Sequence, residues 1–286
     1  MKIGFVGAGI MGHGMAANLL KAGHKVTVIA NRNRAPIEDL VSKGAVEATS
    51  YQELAENKEA IVLCVTNSVV ANSVIDQLAL HLVPNVLIID TTTNEPEAPV
   101  KLAEKVTAVG ARYVEAPVTG GAKQATDGIL GAIVACEDEH FPEAKILLLA
   151  FCKQVEHFGP IGMAAKTKLV SNFLALGTAT LVVETYKHAR SLGVDWQKLY
   201  ELAQLGSGNS SAMHRIVGNA LEGDFQGYVF TNENSLKDLS YIHSLLAQEG
   251  LDVSLAAVMK SFYAEAVDQG DGKRMISERL ATTEEE

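Results

Sequence analysis

Three glycines at Gly7, Gly9 and Gly12 stand at the spacing that a dinucleotide pyrophosphate requires of the turn that holds it. In such a turn Gly7 permits the tight bend, Gly9 lets the backbone approach the phosphates, and Gly12 lets the next helix pack on the preceding strand. The amides of Ile10, Met11 and Gly12 open that helix, where unpaired N–H groups and the positive end of the dipole favour an anion. Taken alone, the same spacing also suits a purely structural strand-to-helix turn.

A second group is Lys168 and Asn172, four residues apart and therefore on one face of a helix. A lysine there can protonate an oxygen that gains negative charge during hydride transfer, or in its neutral form take the proton back. Burial and nearby cations would lower its pKa toward working pH, and the Asn172 amide would hold the reacting oxygen or the lysine itself. The ordinary alternative is a solvated helical lysine. A third group, Thr119-Gly120-Gly121, offers a hydroxyl and backbone N–H groups with little bulk, which suits a carboxylate. A tight turn with no ligand has the same composition.

The element that must position the glycines is legible around them. Lys2 to Val6 is an apolar strand, Met15 to Ala22 a helix closed by Gly23, and Lys25 to Ala30 a second strand, together one βαβ unit. After that second strand comes Ala30-Asn31-Arg32-Asn33-Arg34, with no carboxylate to bond a ribose 2′-hydroxyl. Two guanidiniums stand there instead, and their forked donors match phosphate oxygens, so NADP is expected ahead of NAD, with Asn31, Arg32 and Arg34 as candidate ligands. Solvated loop charges are the competing reading of the two arginines.

Alternation continues with apolar runs at 60–65, 85–90, 112–116 and 131–135. Asp90-Thr91-Thr92-Thr93-Asn94-Glu95-Pro96 follows the second of these, at the strand end where open α/β sheets bind ligands; Thr93 or Asn94 would equally cap a helix. Past Gly159-Pro160-Ile161-Gly162 the pattern becomes almost continuously helical. A long helix is expected from about 164 to 191, stopped by Leu192-Gly193, with Asp195 capping the next. The expected architecture is an α/β Rossmann domain with a mostly parallel sheet over 1–160, and an all-α domain over 161–286, joined by the long helix.

Composition narrows the class. With 286 residues and 48% hydrophobic content the chain can bury two cores, and a net charge of −10 argues against nucleic acid or an anionic membrane as the main partner. The apolar stretch Leu169 to Val183 is interrupted by Ser171 and Asn172 and is short for a membrane span, so a buried helix is expected. Cys64, Cys136 and Cys152 show no CxxC spacing and read as free thiols near the core. The eight histidines have no metal-ligand spacing, so no metal site is expected. The first residues read as the nucleotide-binding strand rather than a leader, which points to the cytoplasm. The excess of apolar positions on the long helix calls for another helix or subunit, hence a homodimer or homotetramer.

Five segments together carry a resemblance: GAGIMGHGMAANLLKAGH at 7–24, DTTTNEP at 90–96, EAPVTGGAKQATDGIL at 115–130, GPIGMAAKTKLVSN at 159–172 and SLKDL at 235–239. The chain resembles the β-hydroxyacid dehydrogenases, which include 3-hydroxyisobutyrate dehydrogenase, tartronate semialdehyde reductase and the glyoxylate and succinic semialdehyde reductases. The resemblance implies NAD(P) binding at the glycine turn and a nicotinamide contact from Thr93. It implies a substrate carboxylate at Thr119, Gly120 and Gly121, a catalytic Lys168 with Asn172 beside it, and Lys237 reaching the cofactor with Asp238 next to it.

Two departures bear on the site. Thr119 stands where the family usually has serine, adding a methyl expected to shrink the pocket, and Ala164 replaces the third glycine before the lysine helix. The implied activity is interconversion of a small hydroxy acid and its aldehyde acid. An imine reductase, in which the lysine is usually replaced, and a non-catalytic NADP-binding sensor are the alternatives.

Overall fold

The strands at 2–6, 60–63 and 87–90 send apolar side chains alternately to two faces, and both faces are covered. The structure is a computed structural model and describes residues 1–31 and 33–281. Its elements run β1 (Lys2–Val6), α1 (Gly12–Lys21), β2 (Lys25–Ile29), α2 (Ala35–Ser42), β3 (Val46–Ala48), α3 (Tyr51–Ala55), β4 (Ala60–Leu63), α4 (Ser68–Ala79), β5 (Leu87–Asp90), α5 (Ala98–Ala108) and β6 (Arg112–Glu115). All neighbouring pairs in this sheet are parallel, in the order β3-β2-β1-β4-β5-β6. That is the order of a dinucleotide-binding sheet, with β1 at the point where the winding reverses.

One face of the sheet buries Ile3, Phe5, Val26, Val28, Val62 and Ile89 against Met15 and Leu19 of α1 and Ile37 and Leu40 of α2. On the other, Val6, Ile61, Leu63 and Ile88 pack on Leu54, Ile75, Leu78, Leu102 and Val106 from α3, α4 and α5. The period of two along each strand therefore explains two cores from one sheet.

The run at 131–135 departs from the expected single sheet. It belongs to β8 (Leu130–Val134), in a separate three-stranded sheet with β7 (Val118–Thr119) antiparallel and β9 (Cys152–His157) parallel to it. Between them lie α6 (Ala122–Asp127) and α7 (Phe141–Leu148). β9 is an edge strand with three exposed residues among six, and so carries no apolar run to announce it in the sequence.

The chain divides into two compact units, Met1–Lys168 and the residues from Leu169 onward, so the division falls inside α8 (Met163–Ser191) rather than before it. The second unit is helical. Leu176, Val182, Val183 and Tyr186 of α8 share a core with Leu239 and Ile242 from the helix Asn232–Gln248, Met259 and Tyr263 from the helix Ser254–Asp268, and Ile276 and Leu280. α9 (Trp196–Ala203) begins at Asp195, whose carboxylate accepts the Lys198 N–H as expected of a cap.

α8 is longer than the uncharged stretch that the sequence emphasises. At 29 residues it is long and apolar enough, by length and composition alone, to cross a membrane, so shortness does not argue against a span. What characterises it in the structure is the buried row from Leu169 to Tyr186, the pattern of a core helix.

Candidate active site

The glycine turn has the local geometry its spacing predicts. Gly7 has φ +97°, and a Cβ there would collide with the Cys64 carbonyl oxygen of the neighbouring strand end. A Cβ on Gly12 would strike the Gly7 carbonyl and stand 3.0 Å from the Phe5 ring, so α1 can approach β1 only without one. Gly9 is different: a Cβ there would meet nothing within 4 Å, so among the described residues no neighbour forbids a side chain. The bare backbone at Gly9 leaves room for a ligand phosphate.

The N-terminus of α1 suits such a ligand as well. Met11 occupies the cap position without a side-chain bond, and no acidic residue lies in the first turn. Ile10 is exposed. The amides of this turn are thus the donors that would hold a pyrophosphate.

Beyond β2 the structure describes two of the three residues expected to select the cofactor, Asn31 and Arg34. Arg32 lies outside the described residues. Asn31 is exposed, and Arg34 is bound on two sides: Nη1 and Nη2 donate to the Glu47 carboxylate at 3.0 Å each, and Nε lies 3.6 Å from Glu38.

The polar run after β5 is organised by a carboxylate. Asp90 is fully buried and accepts from the Thr92 N–H at 2.9 Å, Asn94 Nδ2 at 2.8 Å and the Tyr113 hydroxyl at 2.9 Å. Burial pushes its carboxyl up, and these donors oppose the shift. Asn94 is therefore tied to Asp90 and caps no helix; α5 begins after Glu97, which makes no side-chain cap bond. Thr91 donates to the Leu63 carbonyl, while Thr93 is only half-buried at the end of this turn.

In the 119–121 loop the three residues differ. Thr119 and Gly120 are exposed, and Gly120 has φ +118°. The Gly121 N–H donates to Gln124 Oε1 at 3.0 Å, so a carboxylate at this loop finds the Thr119 hydroxyl and Gly120 amide more readily than the Gly121 amide. The Thr119 methyl faces the neighbouring strand. Its Cγ2 lies over Gly131 of β8, 2.8 Å from where a Cβ would stand, so the extra bulk rests on a bare backbone.

Two residues unnoticed in the sequence hold this loop's helix to the cofactor turn's helix. A Cβ on Gly14 would come within 2.7 Å of the Ala125 carbonyl carbon and Thr126 nitrogen. One turn on, Asn18 Nδ2 donates to Ala125 O at 2.8 Å, Gly14 O at 2.9 Å and Thr126 O at 3.1 Å. The signal was present as a glycine and an asparagine inside a helix, both poor helix formers that need a reason to be there.

Lys168 lies on α8 and is only 7% exposed, unlike an ordinary surface lysine. The start of that helix is met by Glu115, a buried residue whose Oε2 accepts the Gly162 N–H at 2.8 Å. Burial pushes the Glu115 carboxyl up to about 7, opposed by the amides of Gly162, Ala165 and Ala164 and reinforced by Asp90, its cross-strand neighbour.

The second unit holds its own polar cluster. Asn172 Nδ2 donates to Asp238 Oδ2 at 2.6 Å, and Lys237 Nζ lies 2.8 Å from Asp238 Oδ1 and 5.1 Å from the Tyr241 ring centroid. Asp238 is 2% exposed. Its acceptor oxygens fix which end of the Asn172 amide faces it, leaving the carbonyl oxygen and one N–H for another partner. Lys237, which sequence alone cannot distinguish from a surface charge, is thus half-buried and paired with a buried carboxylate.

Comparison with known proteins assigns both units. Residues 2–159 match the family model for the NAD binding domain of 6-phosphogluconate dehydrogenase, and residues 162–281 match the one described as NAD-binding of NADP-dependent 3-hydroxyisobutyrate dehydrogenase. The chain belongs to the β-hydroxyacid dehydrogenase family.

As a member it is an NAD(P)-dependent dehydrogenase acting on a CH–OH group. Among its relatives, the mitochondrial 3-hydroxyisobutyrate dehydrogenase of Drosophila melanogaster is 28% identical, over 96% of this chain and 87% of that protein. Glyoxylate/succinic semialdehyde reductase 1 of Arabidopsis thaliana is also 28% identical, over 95% and 94%. The crystal structure of a Salmonella typhimurium 3-hydroxyisobutyrate dehydrogenase shares the fold with a TM-score of 0.89 at 24% identity, covering 98% of this chain and 99% of that one. The β-hydroxyacid dehydrogenase fold expected from the sequence, a parallel Rossmann sheet followed by a helical region that begins with α8, is the one observed.

Proposed function

We propose that the enzyme interconverts a small aldehyde acid and its hydroxy acid, with NADP preferred to NAD and Lys168 as the general acid and base. The observation that carries this reading is a lysine more than nine-tenths buried on the helix that presents Asn172 one turn later. A lysine is rarely placed so without a task. The amides of Ile10, Met11 and Gly12 together with Thr93 would hold the nicotinamide cofactor, the resemblance adds Lys237 to that set, and the cofactor would supply or accept the hydride.

The protein's own groups do the rest. In the reducing direction the carbonyl electron pair moves onto oxygen as the carbon gains hydride, and Lys168 Nζ donates the proton that makes the hydroxyl. In the oxidising direction the neutral amine removes that proton. Asn172, held by Asp238, positions the reacting oxygen with its remaining amide atoms. The Thr119 hydroxyl and the Gly120 amide hold the substrate carboxylate, with the Gly121 amide available once Gln124 yields it.

NADP preference rests on the absence of a carboxylate after β2 and the presence of Arg32 and Arg34 there. The names of the relatives suggest 3-hydroxyisobutyrate, glyoxylate and succinic semialdehyde as first candidates. The buried Lys168 favours this reading over an imine reductase or a binding-only sensor. An oligomer is proposed from Val170, Leu174 and Leu181, exposed apolar residues along one side of α8.

The test is cofactor oxidation with NADPH and NADH against a panel of short aldehyde acids and cyclic imines. Turnover of one aldehyde acid with NADPH favoured supports the proposal. Turnover confined to imines, or tight NADPH binding without turnover of any panel member, would overturn it.

A further inference from the structure

Gly131 lies inside β8, opposite Thr119 of β7 and Gln154 of β9. It is not among the glycines with positive φ, so its backbone imposes no need for glycine. A glycine in a strand interior gives up side-chain packing and costs chain entropy, which calls for a compensating contact. The one heavy atom among the described residues that a Cβ there would meet within 4 Å is Thr119 Cγ2, at 2.8 Å.

That distance is shorter than any real Cβ contact, so Gly131 and the Thr119 methyl exclude a larger residue at 131 in this arrangement. Methyl and hydroxyl branch from the same Cβ, and χ1 of threonine has three staggered wells. With the methyl over Gly131, the hydroxyl is fixed in a different well. We infer that Gly131 is a positioning residue for substrate: the space it leaves seats the Thr119 methyl and so aims the Thr119 hydroxyl at the substrate carboxylate. This rests on the reading of Thr119 as a carboxylate ligand.

A β-carbon at 131 is relieved most cheaply by rotation about Thr119 χ1, since the atom it meets is the free end of a side chain rather than backbone. The rotation carries the hydroxyl off its mark while leaving the strands paired. Serine at 119 has no methyl to displace, so it tolerates alanine at 131.

The experiment compares wild type, Gly131→Ala, Thr119→Ser, the double variant and Thr119→Val. It reads Thr119 χ1 by methyl three-bond couplings, and kcat and KM with succinic semialdehyde and glyoxylate. Gly131→Ala is expected to change the χ1 population and raise KM about tenfold, the loss of one charge-assisted hydrogen bond, with kcat far less affected. The double variant is expected to return to within about twofold of Thr119→Ser, which a general loss of strand stability would not allow. Unchanged χ1 in Gly131→Ala, or no rescue in the double variant, overturns the role of Gly131. If Thr119→Val leaves KM unchanged while Gly131→Ala still shifts χ1, the carboxylate reading of Thr119 fails and the proposal with it. If Thr119→Val raises KM and Gly131→Ala does not, Gly131 alone is refuted.

Discussion

Glu115 Oε2 accepts the N–H of Gly162 at 2.8 Å, so a buried carboxylate on the last residue of β6 meets the start of the helix that carries Lys168. Anions are favoured at a helix N-terminus, yet burial still holds this carboxyl at about 7 instead of the usual 4.5. A carboxyl raised in the folded state binds its proton more readily there than in the unfolded chain. Its contribution therefore favours the fold below about pH 4.5 and is lost as pH rises through about 7, a change on the order of 3 kcal/mol. Glu115→Gln cannot ionise and keeps an acceptor oxygen for Gly162. Urea denaturation at pH 5 and pH 8 is expected to show a flatter pH dependence for this variant; parallel curves would contradict the assignment.

Asn18 links α1 to the carbonyls of Ala125 and Thr126 at the end of α6, and is 8% exposed. Asn18→Ala leaves those carbonyls without that donor, at a cost of about 1–3 kcal/mol in unfolding free energy. A change under about 0.5 kcal/mol, the range of an unremarkable surface site, would show that the bonds contribute nothing.

The Asp238 carboxylate joins Asn172 and Lys237. Asp238→Ala removes the acceptor that orients the Asn172 amide and leaves the Lys237 charge half-buried without its anion. We expect kcat/KM to fall roughly 10–100-fold, the scale of one or two charge-assisted bonds. Steady-state kinetics with circular dichroism separate this from unfolding; wild-type kinetics would remove Asp238 from the site.

Much of this was legible in the sequence and some was not. The βαβ opening, the long α8 and the position of Lys168 follow from periodicity and glycine spacing, which are local signals. The buried roles of Asp90, Glu115 and Asp238 are not, because a carboxylate looks alike in sequence whether it is solvated or holds three donors; only the tertiary neighbours decide. β9 escaped notice for the opposite reason, since its Lys153, Gln154 and Glu156 dilute the apolar pattern of a strand. The seat of the Thr119 methyl is not legible in the sequence because Gly131, over which it lies, is twelve positions away on the paired strand.

Arg34 reaches Glu47 and Glu38, which ties up part of its guanidinium. Removing both candidate phosphate ligands, Arg32→Ala with Arg34→Ala, is expected to lower the ratio of kcat/KM for NADPH over NADH by about 10-fold or more, with the NADH value little changed. An unchanged ratio would place the selection elsewhere.

The role proposed for Lys168 is that of acid and base of the reaction. Turnover by Lys168→Ala with NADPH, alongside NADPH binding by fluorescence, tests it most directly. The expected result is a fall in kcat of about 10²–10⁴-fold with cofactor affinity nearly intact. Near-normal turnover in that variant would contradict it.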